Sequence, residues 1–298
     1  MEHRKLGSAD MNVSVLGFGG SEIGYEDTSP ATVKKLLESA LDAGLNVIDT
    51  AECYPNSEEM IGAAVSRRRK DFYLFTKCGH PEGMATEDWR PEALLASIER
   101  SLKRLQTDHL DLVQLHSCSE ADLRKGEVIG ALESAKKKGY SRYIGYSGDS
   151  DAAVYAVECG RFDVLQTSVS IADQESIERA VPKALAKGMG VIAKRPIANA
   201  AWRTGKKPAN AYHQEYWSRL QKLKYPFLEK KLEEAIIIAL RFTLSVPGVN
   251  TAIVGTTKPG RWSENAEMLK KFSLSKEEFE AIRKHWKEAA GKDWVGQV

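Results

Sequence analysis

The sequence predicts an α/β fold: a single (β/α)8 TIM barrel over residues 1–298, with an N-terminal β-hairpin and C-terminal helices. Three observations predict it. Short apolar runs of strand character begin near residues 15, 46, 73, 112, 143, 164, 191 and 251, each followed by a helical stretch. No shift of composition marks a domain boundary between them, and 298 residues suit one large α/β domain. Polar residues close several of the apolar runs, as happens where strands emerge at the carboxyl rim of a barrel.

Taken in order, extended pieces at Arg4–Leu6 and Met11–Val13 flank Gly7-Ser8-Ala9-Asp10 and form a hairpin. Val15–Gly20 is a buried strand ending in glycines, which let a backbone approach a ligand. Thr28-Ser29-Pro30 starts a helix that closes at Gly44, before the strand Asn46–Asp49. Ser57 caps a helix to about Arg68, Phe72–Lys77 is a strand, and Pro91 opens a helix to Leu105. Strand Asp111–His116, a helix to Lys138, strand Tyr143–Ser147 and a short helix to Cys159 follow. Then come strand Asp163–Thr167, a helix to Lys187, strand Val191–Lys194, a helix Lys231–Ser245 and strand Thr251–Val254. About 60 residues separate the last two strands, and residues 196–226 are rich in aromatics, so that loop is either a lid or a packing element.

Charge and cysteine content narrow the function. With 43 basic and 41 acidic residues the chain lacks the cationic excess of a nucleic-acid or membrane-surface protein. Arg67-Arg68-Arg69-Lys70 and Lys136-Lys137-Lys138 read as solvated helix ends. The charged N-terminus is no targeting segment, and the apolar run Ala235–Leu240 is too short to span a bilayer. Four scattered cysteines fit reduced thiols in a cytoplasmic protein.

The strand ends gather the chemistry. Asp49, Lys77 and His116 terminate V-I-D, L-F-T-K and L-V-Q-L-H, and Tyr54 follows Asp49 in the next loop. A phenol holds its proton at neutral pH and releases it with the help of a cation. An ammonium about 4 Å from the Tyr54 oxygen would stabilise phenolate by about 4 kcal/mol at an effective dielectric of 20, with Asp49 keeping Lys77 charged. His116 would orient a carbonyl oxygen or share the proton. Thr256, Lys258 and Arg261 follow the last strand, where barrel enzymes hold phosphates.

This pattern resembles the aldo-keto reductase family over nearly the whole chain. The resemblance includes L-G-F-G-G, V-I-D-T-A-x-x-Y, S-L-K-R-L-Q-T-D-H-L-D-L-V-Q-L-H, Ile144-Gly145-Tyr146-Ser147, Gln166 and V-G-T-T-K-P-G-R-W-S-E-N. It implies a reductase of aldehydes or ketones, or the reverse oxidation, with NADPH (NADH possible) as cofactor and a small carbonyl or alcohol as substrate. Hydride would leave nicotinamide C4 while Tyr54 donates the proton, tuned by Lys77 and Asp49, with His116 orienting the substrate. The cofactor would meet Gly20, Ser21, Asp49, Ser147, Gln166, Lys194, Arg195, Gly255, Thr256, Lys258, Arg261 and Asn265, with Arg261 at the adenosine 2′-phosphate and Asn265 at the adenine. Tyr25, Trp89 and Trp202 would line the substrate pocket.

Three positions depart from the family pattern. Gly148 stands where many members have asparagine, Lys194 where many stack a tyrosine on the nicotinamide, and Gly255 where some have a basic residue for the 2′-phosphate. Lys194 or Arg195 would then contact the pyrophosphate or an acidic substrate. Two other readings compete with this one. Cys53, Cys78-Gly79-His80 and His116-Ser117-Cys118 could crowd thiols and imidazoles together, but without zinc spacing, so no metal is expected. The thiols could be oxidisable beside Lys77. A cofactor-binding sensor or interaction module with little catalysis is the alternative function, against which the complete tetrad speaks.

Overall fold

The computed structural model describes residues 1–81 and 83–297, and among these eight parallel strands close into a barrel. A two-stranded antiparallel hairpin, β1 (His3–Lys5) with β2 (Asn12–Ser14), precedes it. β3 (Leu16–Gly19) opens the barrel, followed by α1 (Ser21–Tyr25), α2 (Pro30–Asp42), β4 (Val47–Asp49), α3 (Ser57–Val65), β5 (Tyr73–Cys78) and α4 (Pro91–Arg104). The next turns are β6 (Leu110–His116), α5 (Glu120–Lys125), α6 (Glu127–Lys137), β7 (Ser141–Ser147), α7 (Ser150–Glu158) and β8 (Val164–Ser168). α8 (Glu175–Glu178), α9 (Ala180–Ala186), β9 (Gly190–Lys194), α10 (Ala211–Leu223), α11 (Leu232–Ser245), β10 (Thr251–Val254), α12 (Arg261–Lys271) and α13 (Lys276–Ala289) complete the chain. β10 pairs with both β9 and β3, which shuts the barrel and leaves it without a free strand edge.

Inside the barrel, strand residues Val47, Phe75, Leu112, Val164 and Ile192 meet hairpin residues Leu6, Ala9, Met11 and Val13 in one buried cluster. The hairpin thus covers the amino end of the barrel. Outside, α2, α4, α6 and α7 bury their apolar faces on the strands, with Leu36, Leu37, Leu94, Ile98, Leu132 and Val157 nearly solvent-free.

Three local expectations are corrected. Ser57 is no cap: Asn56 is the N-cap, and the Ser57 hydroxyl is buried, donating to Gly20 O at 2.8 Å. The helix expected to run to Lys138 breaks at Gly126, whose φ of 80° ends α5 and starts α6. Arg69 is not simply solvated, because its guanidinium bonds Phe72 O, His109 O and Asp111 Oδ2, the last at 2.7 Å.

Residues 196–226 are not an open loop. Trp202, Tyr216, Leu220 and Leu223 pack with Ile238, Phe242, Ile282 and Trp294 in a second core that joins α10 to α11, α13 and the C-terminal segment. No helix among the described residues is long and apolar enough to cross a membrane.

Candidate active site

Parallel register carries the polar strand ends to one rim. Asp49 lies across from Gly19, Lys77 from Gln114, and Ser147 from both His116 and Gln166. Lys77 Nζ donates to Asp49 Oδ2 at 2.5 Å and to Thr50 O at 2.8 Å, both side chains of the pair being almost wholly buried. The second Asp49 oxygen accepts from Gln166 Nε2 at 2.9 Å and Gln114 Nε2 at 3.3 Å. A buried carboxylate persists only when paired and hydrogen-bonded, and Asp49 has donors from three other strands.

Tyr54 stands beside this pair. The Lys77 ammonium lies 5.1 Å from the Tyr54 ring centroid, while Tyr25 and His116 pack edge-on against the same ring at 5.8 and 5.9 Å. Lys77 thus faces the Tyr54 ring while its ammonium is bonded to Asp49. Burial first and Asp49 second push Tyr54 well above 10, and Arg195 is the cation that counters them.

His116 is held neutral, its imidazole depressed well below 6.5 by burial and then by Lys77 and Lys194. Its Nδ1 lies 3.4 Å from Cys53 Sγ. Burial pushes the Cys53 thiol up to about 12, outweighing the opposing pull of Lys77. His80 stands behind His116, with Nε2 2.7 Å from His116 O and Nδ1 2.9 Å from Thr86 O. The Trp89 ring packs edge-on to His80 at 5.4 Å, one ring removed from His116. Among the described residues no group of three or more His, Cys, Asp or Glu side chains is arranged to hold a metal ion.

A second ionic knot lies on the rim at β9. Asp149 Oδ2 is 2.9 Å from Lys194 Nζ and 3.6 Å from Arg195 Nη1, and Asp149 Oδ1 accepts from Ser168 N at 2.7 Å and Thr167 Oγ1 at 2.8 Å. Burial would raise this carboxyl, but Lys194 and Arg195 overcome it and hold it below its usual range. Burial in turn lowers Lys194 to about 8 despite Asp149. Arg195 Nε donates to Tyr212 Oη at 2.5 Å, linking α10 to the rim, and a side chain at Gly296 would overlap Asp149. Asp149, Tyr212 and Gln114 carried no assigned role in the sequence, and His80 entered only in the metal reading. Only Gln114 had a legible signal, sharing a strand face with His116 by the two-residue period.

The residues expected at the cofactor are placed unevenly. Gly20 N donates to Asp49 O at 2.7 Å, and Ser21 Oγ to Glu22 Oε2 at 2.8 Å. Ser147 Oγ donates to Gln166 Oε1 at 3.1 Å, and Gln166 in turn donates to Asp49. Gly148 admits no side chain, since a Cβ would overlap the Tyr146 hydroxyl, which crosses beneath it to donate to Cys118 O at 2.8 Å. That contact explains why no asparagine stands there. Thr256 Oγ1 accepts from Lys258 N at 3.1 Å, and Arg261 opens α12, 3.2 Å from Glu264. Asn265 is buried with Oδ1 unpartnered among the described residues. Of the expected pocket residues, Tyr25 stands against Tyr54 and Trp89 against His80, whereas Trp202 is drawn into the second core.

Known proteins share this architecture. A holo-form structure of the aldo-keto reductase AKR11C1 from Bacillus halodurans superposes with a TM-score of 0.84 at 28% identity, covering 98% of this chain and 99% of that one. The uncharacterized oxidoreductase YqkF of Bacillus subtilis is 29% identical over 97% of each chain. L-galactose dehydrogenase of Arabidopsis thaliana is 29% identical over 89% of this chain and 87% of its own. The model of the Aldo/keto reductase family matches residues 15–287, and the chain belongs to that family of oxidoreductases.

Proposed function

We propose that this protein is an NAD(P)H-dependent oxidoreductase that reduces an aldehyde or ketone to an alcohol, or runs the reverse reaction, with Tyr54 as general acid or base. The observation that carries this reading is the convergence of Tyr54, the Asp49–Lys77 pair and neutral His116 on one rim. A bound nicotinamide would supply or accept the hydride. Tyr54, protonated at neutral pH, gives its proton to the oxygen of the forming alkoxide, and the Lys77 ammonium beside its ring stabilises the phenolate left behind. Asp49 holds that ammonium in place. His116 donates to the carbonyl oxygen from the ring nitrogen that does not face Cys53.

Several residues fit the dinucleotide. The unpartnered Asn265 Oδ1 suits the adenine amine, Arg261 and Lys258 suit phosphate, and Thr256 and Ser21 offer hydroxyls near the loop after β10. Ser147 and Gln166 would meet the carboxamide from their mutual hydrogen bond, with no help from position 148. The kinship with L-galactose dehydrogenase directs the substrate search first to hydroxylated carbonyl compounds and aldoses. Lys194 and Arg195 favour a substrate with an acidic group. The free cysteines agree with a cytoplasmic location.

The test is titration with NADPH and NADH by fluorescence, then turnover on a panel of aldehydes, ketones and aldoses followed by dinucleotide absorbance. Tyr54→Phe is expected to lower turnover at least about 100-fold with dinucleotide Kd unchanged. Turnover retained in that variant would refute the assignment.

A further inference from the structure

Glu22 occupies the place where the loop after β10 has lost its side chain. The residue lies on α1, and its carboxylate rests on Gly255 so closely that a Cβ at 255 would overlap both carboxylate oxygens. Glycine at 255 and glutamate at 22 are therefore one feature: a basic side chain at 255 would need the space that Glu22 fills. Among the described residues no cation pairs with this carboxylate, and its side-chain partner is the Ser21 hydroxyl at 2.8 Å. Burial raises its pKa, Ser21 opposes the rise, and Glu26 adds to it. Glu26, one turn on, faces the same loop and accepts from Thr257 Oγ1 at 3.1 Å. The cations of that loop, Lys258 and Arg261, follow Gly255 by a few residues, and Arg261 is partly engaged by Glu264.

In the proposed function, on which this inference rests, the loop from Gly255 to Arg261 receives the phosphates of the dinucleotide. A carboxylate at its start opposes each phosphate charge brought there. NADPH carries a 2′-phosphate that NADH lacks, so the opposition falls unequally on the two. We infer that Glu22, seated on Gly255, is a cofactor-discriminating residue that weakens the hold on the 2′-phosphate and brings NADH binding close to that of NADPH.

Direct binding separates this from catalysis. Kd values for NADPH and NADH are measured by fluorescence titration and calorimetry on the wild-type protein, on Glu22→Gln, which keeps the shape and the Ser21 contact, and on Glu22→Ala. The wild type is expected to bind the two within about threefold of each other, and both variants to tighten NADPH about tenfold while changing NADH by less than about threefold. High salt should shrink the difference, since exposed charges in the loop are screened. Binding of both dinucleotides with the same NADPH-to-NADH ratio in wild type and variants would overturn the role of Glu22 while leaving the reductase reading intact. Failure of the wild type to bind either dinucleotide would overturn both.

Discussion

Removing one partner of the Asp49–Lys77 pair tests how far the rim depends on it. The two atoms stand 2.5 Å apart with side chains 1–2% exposed, where Coulomb attraction at an effective dielectric of 20 is about 7 kcal/mol. Desolvation of both ions offsets much of this, and breaking such a buried pair typically costs about 3–5 kcal/mol because one charge is left stranded. The partners are not equivalent. Asp49→Asn leaves the Lys77 ammonium with Thr50 O, whereas Lys77→Met leaves Asp49 with Gln166 and Gln114 still donating. We expect a loss of about 4–5 kcal/mol for Asp49→Asn and about 3 kcal/mol for Lys77→Met. The double variant should lose far less than the sum, with a coupling of at least about 2 kcal/mol. Urea unfolding followed by circular dichroism, with no dinucleotide added, measures all four corners. Coupling below about 0.5 kcal/mol would refute the view that the two charges hold each other. In single-turnover reduction each single variant should slow the chemical step about 100-fold, and the double variant should be no slower than the worse single.

Other perturbations have equally definite outcomes. Lys194 is depressed to about 8, so between roughly pH 8 and 10.5 the unfolded chain binds more protons at this residue than the folded one. Its contribution to stability therefore rises as pH climbs through that window, and urea midpoints in Lys194→Met should lack that component of the slope. Gly148→Ala drives a methyl group into the Tyr146 hydroxyl and should cost about 1–3 kcal/mol, part of it recovered in the pair with Tyr146→Phe. Cys53, held protonated near 12, should react with iodoacetamide at neutral pH far more slowly than a free thiol, and mild peroxide should leave turnover unchanged.

The barrel was legible because its strands are short apolar runs ended by polar residues, and that same boundary exposed Asp49, Lys77 and His116. Local patterns carry such information well. They carry little about groups that meet from distant parts of the chain. The partner of Lys194 is Asp149 on the turn after β7, and nothing near either residue signals the other. Gly148 looked like a weakened amide site, but its reason is the Tyr146 side chain passing beneath it. The aromatics of residues 196–226 fitted a lid as well as a core, and the packing of Tyr216 and Trp202 with residues of α11 and α13 was not legible from the local pattern. For Cys53 the nearby cation was legible in the sequence, whereas the burial that raises its thiol was not.

The knot at Asp149 has a mechanical consequence. One carboxylate grips the end of β8 through Thr167 and Ser168 and the end of β9 through Lys194 and Arg195, with Gly296 of the C-terminal segment pressed on it. Arg195 extends the grip to Tyr212 on α10, and Arg219 on that helix donates to Val295 O at 2.9 Å. These segments form a loop of restraints with no free end. Lifting α10 from the rim strains the tail, and peeling away the tail uncovers the buried charges of Asp149 and Lys194. The contacts on this side of the barrel mouth therefore depend on one another, and Asp149 is the group they share.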